Sequence, residues 1–287
     1  MQESSSEVSI LIPTYNRAHL IRNAIESSLM QTYKCEIIVC DHGSSDETQK
    51  ICESYGKSIK YFRREMDYGI HFCELESILA SNGKFIHFCF DDDWMHPEFI
   101  SKCMTLMDDS IGAVFTGFKN IQLKKSNQEY LKWGQIDSLQ FNILPSWKVI
   151  PKVMARVISP SRAIVRKKDA LRCMYISTNL MSDSYYKGVG PDWLITAYPL
   201  FHYRKCAYIQ NELVCFGVHE DSITCDVVNK NEVKKTNSFK AAYRGAKLYL
   251  VISFLIKKIK LEKFISFLEF FFKIIKRILI KFNFKFL

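Results

Sequence analysis

The stretch Phe85-Ile86-His87-Phe88-Cys89-Phe90-Asp91-Asp92-Asp93 carries an apolar run directly into three carboxylates. A continuous run of this kind, bounded by Gly83 and by charge, reads as a buried strand. Three adjacent aspartates repel one another unless a cation or hydrogen-bond donors neutralise them. A strand tip loaded with acid suits a divalent cation held through oxygen ligands. The competing reading is a solvated acidic turn in which Asp caps the next helix, and the triplet alone leaves both open.

The flanking sequence supplies the frame. Val8–Ile12 reads as a strand ending at Pro13, Ala18–Gln31 as a helix and Glu36–Cys40 as a second strand. Ser44-Ser45-Asp46-Glu47 fits a capping box opening a helix to about Tyr55. Ile59–Phe62 reads as a third strand, and Ile70–Ala80 as a helix closed by Asn82-Gly83. After the Asp triplet, Pro97–Met107 is expected as a helix and Ile111–Phe118 as a strand. Such alternation implies βαβ units and an α/β fold with a mostly parallel sheet. Ligands bind such sheets at the carboxyl ends of the strands, where Asp41 and Asp91–Asp93 both fall. Residues 120–160 read as loops and short strands, Lys168–Ser177 and Asp192–Leu200 as helices, and Cys206–Phe216 as a strand.

The chain has 287 residues, 48% apolar and 24% charged, enough to bury a large core and too apolar for disorder. Ten cysteines occur with no Cys-x-x-Cys pair, which points to reduced, buried thiols in a cytosolic setting. The opening residues lack the basic and apolar regions of a secretory signal. Of 40 Lys and Arg and 30 Asp and Glu, twelve basic and two acidic residues lie after 239, so residues 1–239 carry 28 of each. The whole excess of positive charge sits in a Phe-, Ile- and Leu-rich tail, which argues for an anionic membrane surface and against nucleic acid.

Several segments in order resemble family 2 glycosyltransferases of the GT-A fold. Val8-Ser9-Ile10-Leu11-Ile12-Pro13-Thr14-Tyr15-Asn16-Arg17 is close to that family's opening strand and loop. Gln31-Thr32-Tyr33, then Glu36–Thr48 with Asp41-His42-Gly43-Ser44, resembles its second-strand signature. Gly83–Ile86, the Asp triplet and Trp94-Met95-His96-Pro97 are similar to its metal-binding turn. The match is ordered over roughly the first 120 residues and weaker to about Thr224. It implies a GT-A, Rossmann-like sheet flanked by helices, a nucleotide-sugar donor (a UDP-sugar) and a divalent metal, Mn²⁺ or Mg²⁺.

Carried over residue by residue, the resemblance implies that Pro13, Thr14, Tyr15 and Arg17 flank the nucleotide. Asp41 would accept from the base, and Asp91 and Asp92 would lie at the donor. Asp91, Asp92 and Asp93 would meet the metal, with His219 in Phe216–Thr224 as a further ligand or phosphate contact. Asp192, at the start of a late helix, would be the base that takes the proton from the acceptor hydroxyl. The chain departs from the family at His42, where a second Asp is common, and at Phe90, where a fourth acid is common. Cys73-Glu74-Leu75 replaces an Arg-Asn pair, and Pro191 replaces a Glu before Asp192.

The expected organisation is a catalytic domain over 1–225, a polar linker over 226–239, and basic amphipathic membrane-associating helices over 240–287. In the tail Glu269, Lys273, Arg277, Lys281 and Lys285 recur at i, i+4 beside a wide apolar arc, as in an interfacial helix. Packing on the body or on another subunit is the alternative, and a homo-oligomer is left open. The expected enzyme is an inverting hexosyltransferase acting on a lipid-linked glycan acceptor, peripheral at the cytoplasmic face of the cell membrane. A non-catalytic, membrane-bound partner protein with the same fold is the competing reading.

Overall fold

The computed structural model describes residues 6–123, 133, 136, 138–155, 158–179, 191–219 and 233–258. The chain divides into two compact units, Met1–Ala246 and Lys247–Leu287. In the first, β1 (Val8–Thr14), β2 (Cys35–Asp41), β3 (Lys60–Arg63) and β4 (Phe85–Phe88) form parallel ladders in the order β3-β2-β1-β4. Their connections are α1 (Ile21–Leu29), α2 (Thr48–Ser54) and α3 (Ile70–Ala80). The sheet continues through β8 (Ala163–Arg166), β6 (Ile111–Gln122) and β9 (Lys205–Val218) to β5 (Asp93–Met95), and β7 (Phe141–Pro145) also pairs β9. β8 runs antiparallel to β4 and β6, while β6 and β9 are parallel. The result is the mixed, mostly parallel α/β sheet read from the alternation.

β1 is buried at every position, so it reads as a continuous apolar run rather than an alternating one. Ile10, Ile12, Val39, Phe85 and Val114 pack together with Ile21 and Ile25 of α1 and Phe99 and Ile100 of α4 (Phe99–Met104). Each such aliphatic contributes roughly 1.5–3 kcal/mol by leaving water. This core fixes the carboxyl ends of β1, β2 and β4 side by side.

Three stretches differ from the sequence reading. The strand at 85–90 stops at Phe88, and a turn reverses into the three-residue β5, antiparallel to β9. Residues 146–155, expected as loop, form α5 (Ser146–Ala155) despite Pro151 within it. Residues 233–239, expected as linker, open α8 (Val233–Lys258). Polarity is no helix breaker: Lys234, Lys235 and Lys240 are good helix formers, and neither Gly nor Pro occurs from 233 to 244. The remaining helices are α6 (Lys167–Asn179) and α7 (Pro191–His202). The expected tail helices lie outside the described residues beyond 258. Among the described residues no helix is long and apolar enough to cross a membrane.

Candidate active site

The loop after β1 and the loop after β2 are laced together. Asn16 adopts φ 54°, a left-handed conformation that Asn tolerates. Its N–H donates to Ser44 Oγ at 2.8 Å, and its Oδ1 accepts from the Ser45 N–H at 2.8 Å. Arg17 N–H donates to Thr48 Oγ1 and Ala18 N–H to Asp46 Oδ2. Tyr15 stacks on His42 with ring centroids 4.8 Å apart, and His42 Nδ1 pairs with Asp67 Oδ1 at 2.7 Å. A partly exposed aromatic face therefore stands at the mouth of β1, next to buried Thr14.

Asp41 is closed in by its own turn and by β3. Its carboxylate is fully buried. Oδ1 accepts from the N–H groups of Gly43 and Ser44, and Oδ2 from the Tyr61 hydroxyl, with Arg63 Nε at 4.0 Å. The side chain organises its own turn, and Oδ2, with a single donor, keeps acceptor capacity. Nothing in the local sequence pairs Asp41 with Tyr61, twenty residues on, because parallel β2 and β3 bring them together.

The Asp triplet splits by strand geometry. Asp93 enters β5 opposite Phe216 and is 6% exposed. Burial pushes its carboxyl well up, Asp92 adds to this, and the Ser161 hydroxyl and Gly217 N–H oppose it. Asp91 faces the β1 loop, with Arg17 Nε 4.0 Å from its Oδ1. Burial, then the neighbouring Asp92, push Asp91 up to about 7, against Arg17, the Thr14 hydroxyl and the Tyr15 N–H. Asp92 turns towards the end of β9, where its Oδ2 meets His219 Nε2 at 3.2 Å. Gly217 permits that approach: its N–H donates to the Asp92 carbonyl at 3.0 Å, and a Cβ there would lie 2.2 Å from the same oxygen. From the other side, Gln31 holds the chain leaving β5 by donating to the His96 carbonyl and accepting from the Ile100 N–H.

These residues suit a hard divalent cation. The turn gathers three carboxylates, and burial followed by the charge of Asp92 pushes Asp91 and Asp93 up. His219 Nδ1 is buried without a partner while Nε2 faces a carboxylate. That is the state of an imidazole ready to ligate, its other nitrogen fixed by an acid. Carboxylate oxygen with one imidazole matches Mn²⁺ or Mg²⁺ better than a soft metal. Among the described residues no three His, Cys, Asp or Glu side chains converge on one point.

Asp192 stands in the first turn of α7, whose next residue, Trp193, is wholly buried and donates Nε1–H to the Val153 carbonyl at 3.0 Å. Trp193 is therefore a core residue and offers no face to a sugar. Asp192 Oδ1 accepts from the Trp193 N–H at 2.7 Å and Oδ2 from the Tyr243 hydroxyl of α8 at 3.1 Å. Tyr243 was not singled out by sequence reasoning, since 51 residues separate it from Asp192.

A family model described as glycosyl transferase family 2 matches residues 9–161, just over half of the chain. This chain belongs to glycosyl transferase family 2. An uncharacterized glycosyltransferase of Rickettsia felis is 32% identical over 154 residues, covering 48% of this chain and 24% of that protein. A UDP-Glc:alpha-D-GlcNAc-diphosphoundecaprenol beta-1,3-glucosyltransferase, WfgD of Escherichia coli, is 32% identical over 117 residues, covering 40% of this chain and 46% of the relative. The chain thus spans a quarter to a half of these relatives' lengths. Among solved structures, S. aureus TarS 1-349 in complex with UDP-GlcNAc aligns at TM-score 0.56 and 16% identity over 90% of this chain and 77% of that one. The likeness establishes the GT-A fold for this family 2 chain. The Tyr15 loop follows β1 and the Asp91–Asp92 turn follows β4, at the carboxyl ends of neighbouring parallel strands.

Proposed function

We propose that this protein is a metal-dependent, inverting glycosyltransferase that moves a sugar from a UDP-sugar to a membrane-associated, polyprenyl-linked glycan in surface polysaccharide synthesis. The observation that carries the reading is the meeting of Asp92 with His219, whose second nitrogen is buried and unpartnered, at the carboxyl edge of the sheet. The donor named for the E. coli relative and the UDP-GlcNAc held by TarS support a UDP-sugar. The relative's diphosphoundecaprenol acceptor supports a lipid-linked one.

The Asp91–Asp93 turn and His219 would hold Mn²⁺ or Mg²⁺, Asp92 orienting the imidazole through Nε2 and the donor's diphosphate completing the ligand set. The ion, when bound, neutralises the charge that the departing nucleoside diphosphate gathers. Arg17 adds a guanidinium beside Asp91, and the Tyr15–His42 stack offers an apolar face to the nucleobase. Asp192 accepts the proton of the acceptor hydroxyl as that oxygen attacks the anomeric carbon. The new C–O bond forms as the bond to the diphosphate oxygen breaks, so one displacement inverts the centre with no covalent enzyme intermediate.

We place the protein at the cytoplasmic face of the cell membrane through residues 248–287, whose charge and apolar content suit an anionic surface. A panel of nucleotide-sugars, offered with Mn²⁺ or Mg²⁺ and polyprenyl-diphosphate glycans, tests the reading. Metal-dependent release of UDP, lost in Asp92→Asn, is the expected result. Nucleotide binding indifferent to metal in the wild-type chain would sink it.

A further inference from the structure

The sheet edge at β7 carries apolar side chains into water. Phe141 is 45% exposed and Ile143 48%, and Asn142 between them is exposed too. Among the described residues β7 pairs with β9 alone, with Phe141 opposite Ile209 and Pro145 opposite Lys205. α5 follows β7 without a break and continues the patch. Trp147 is 68% exposed, and Lys148, Pro151 and Lys152 are exposed with it. Trp147 and Pro151 are four residues apart, as are Lys148 and Lys152, so all four share one face of the helix. Ser146 and Val153 are buried behind that face. Lys148 Nζ lies 5.5 Å from the centre of the Trp147 ring. Arg204, also exposed, is tied to the start of α5, its carbonyl accepting from the Ser146 N–H at 2.9 Å.

Three large apolar side chains standing together in water mark a surface that something covers. Lys148, Lys152 and Arg204 give this surface a positive sign. No acidic residue occurs in the sequence from Ser138 to Lys168. Lys205 is not counted with the three, since Asp108 bears on it. A second copy of the patch would set like charge against like. A phosphate backbone alone gives Ile143 nothing to pack on. An indole flanked by lysines, beside exposed Phe and Ile, suits an anionic lipid surface. There the ring lies at head-group level, the ammonium groups meet phosphate and the hydrocarbon dips below.

We propose that the outer face of α5 and the exposed edge of β7 rest on an anionic bilayer and set how the sheet is oriented on it. A contact this small attaches reversibly, so residues 248–287 supply the hold and the patch supplies the orientation. Its meaning for catalysis rests on the reading of the acceptor as lipid-linked. α5 connects the patch to that chemistry. The Val153 carbonyl accepts from Trp193 Nε1–H at 3.0 Å, and Trp193 follows Asp192 in the first turn of α7. Packed helices lie about 8–10 Å apart. With α5 on the bilayer, Asp192 stands roughly one helix spacing behind it, within reach of an acceptor that stays in the membrane.

Vesicles of phosphatidylglycerol and phosphatidylcholine, without glycan or nucleotide, test the contact on the full chain. Brominated acyl chains quench an indole that enters the bilayer. The expected result is quenching of the vesicle-bound wild-type chain that Trp147→Phe removes, since Trp94 and Trp193 are buried. Phe in that place keeps the apolar contact and loses only the emission. Reversing both exposed charges, Lys148→Glu with Lys152→Glu, should cut the quenching severalfold with an unchanged circular dichroism spectrum. Equal quenching in wild type and Trp147→Phe, or no quenching at all, overturns the proposal. A chain that is dimeric by sedimentation and whose Trp147 stays unquenched gives the patch to a second copy and overturns it equally. Quenching of Trp147 in a chain that transfers no sugar would sink the glycosyltransferase reading alone. Transfer by a chain whose Trp147 is unquenched would sink the patch alone.

Discussion

Gly217 lies so close to Asp92 that its N–H donates to the Asp92 carbonyl at 3.0 Å and leaves no room for a methyl group. The contact locks the end of β9 onto the acidic turn. The imidazole of His219, two residues on, reaches Asp92 as a consequence.

Gly217→Ala should therefore act twice. A Cβ 2.2 Å from a backbone oxygen forces the strands apart. Overpacking of this kind costs about 1–3 kcal/mol, readable as a lower midpoint of chemical denaturation. The same displacement should separate His219 from Asp92 and weaken Mn²⁺-linked nucleotide binding in calorimetry. Unaltered metal-linked binding would show that the β5–β9 register does not set the site.

Asp92→Asn and His219→Ala should each reduce the dependence of nucleotide affinity on Mn²⁺, while binding in EDTA stays near wild type. Loss of one metal ligand or its oriented neighbour costs roughly 10–100-fold in metal affinity. Asp93→Asn should matter less for metal, since Asp93 is buried in β5 opposite Phe216.

Asp192→Asn should leave donor binding intact and lower transfer by roughly 10²–10⁴-fold, the usual share of a general base. Isothermal titration with UDP separates the two quantities. Transfer at the wild-type rate would remove Asp192 from the role.

Stability should fall on the acid side. His87 is buried in β4 with its Nδ1 against the Ala163 carbonyl at 3.0 Å, and burial lowers it from the ordinary 6.5 to about 4. His71 is likewise lowered to about 4 by burial. The folded state holds these rings neutral, whereas the unfolded chain protonates them. Their contribution is complete above pH 6.5 and is lost as pH falls towards 4. For His87 the loss is at most about 3 kcal/mol. His87→Gln, which keeps a donor but cannot titrate, should show a shallower fall in unfolding free energy across that window. An identical slope in both proteins would exclude His87 as the source.

Deleting residues 248–287 should release the protein from anionic vesicles while its body stays folded, and raised salt should do the same to the full chain. Retention of the truncated chain on those vesicles would move the membrane contact to the body.

Much of the sheet was legible because β1, β2 and β4 are buried on both faces and announce themselves as apolar runs. The acidic turn was legible for the same reason, since a strand pointed at it. β5 was not: three residues carry no period, and β9 alone makes them a strand. α5 was hidden by its proline, and the first turns of α8 by their polarity. At the site, Asp92 was singled out by its place at a strand tip and His219 through the family resemblance; that the two side chains meet could not be read from either. The partners of Asp41 were not legible, because no local pattern shows Tyr61 and the Gly43 and Ser44 N–H groups closing over it. Glu74 stood out only as a departure, and its burial exists only once α3 has packed.

The pairing of Asp92 with His219 spans 127 residues, and synthesis runs from the N-terminus. As the polypeptide leaves the ribosome, β1 to β4 and the acidic turn emerge long before β9 is made. For all that time the aspartates lack the strand that orders them and the imidazole that faces them. The meeting of β9 with the acidic turn is the closing stitch of the fold: a nascent chain halted before residue 217 carries the aspartates without the imidazole that faces Asp92.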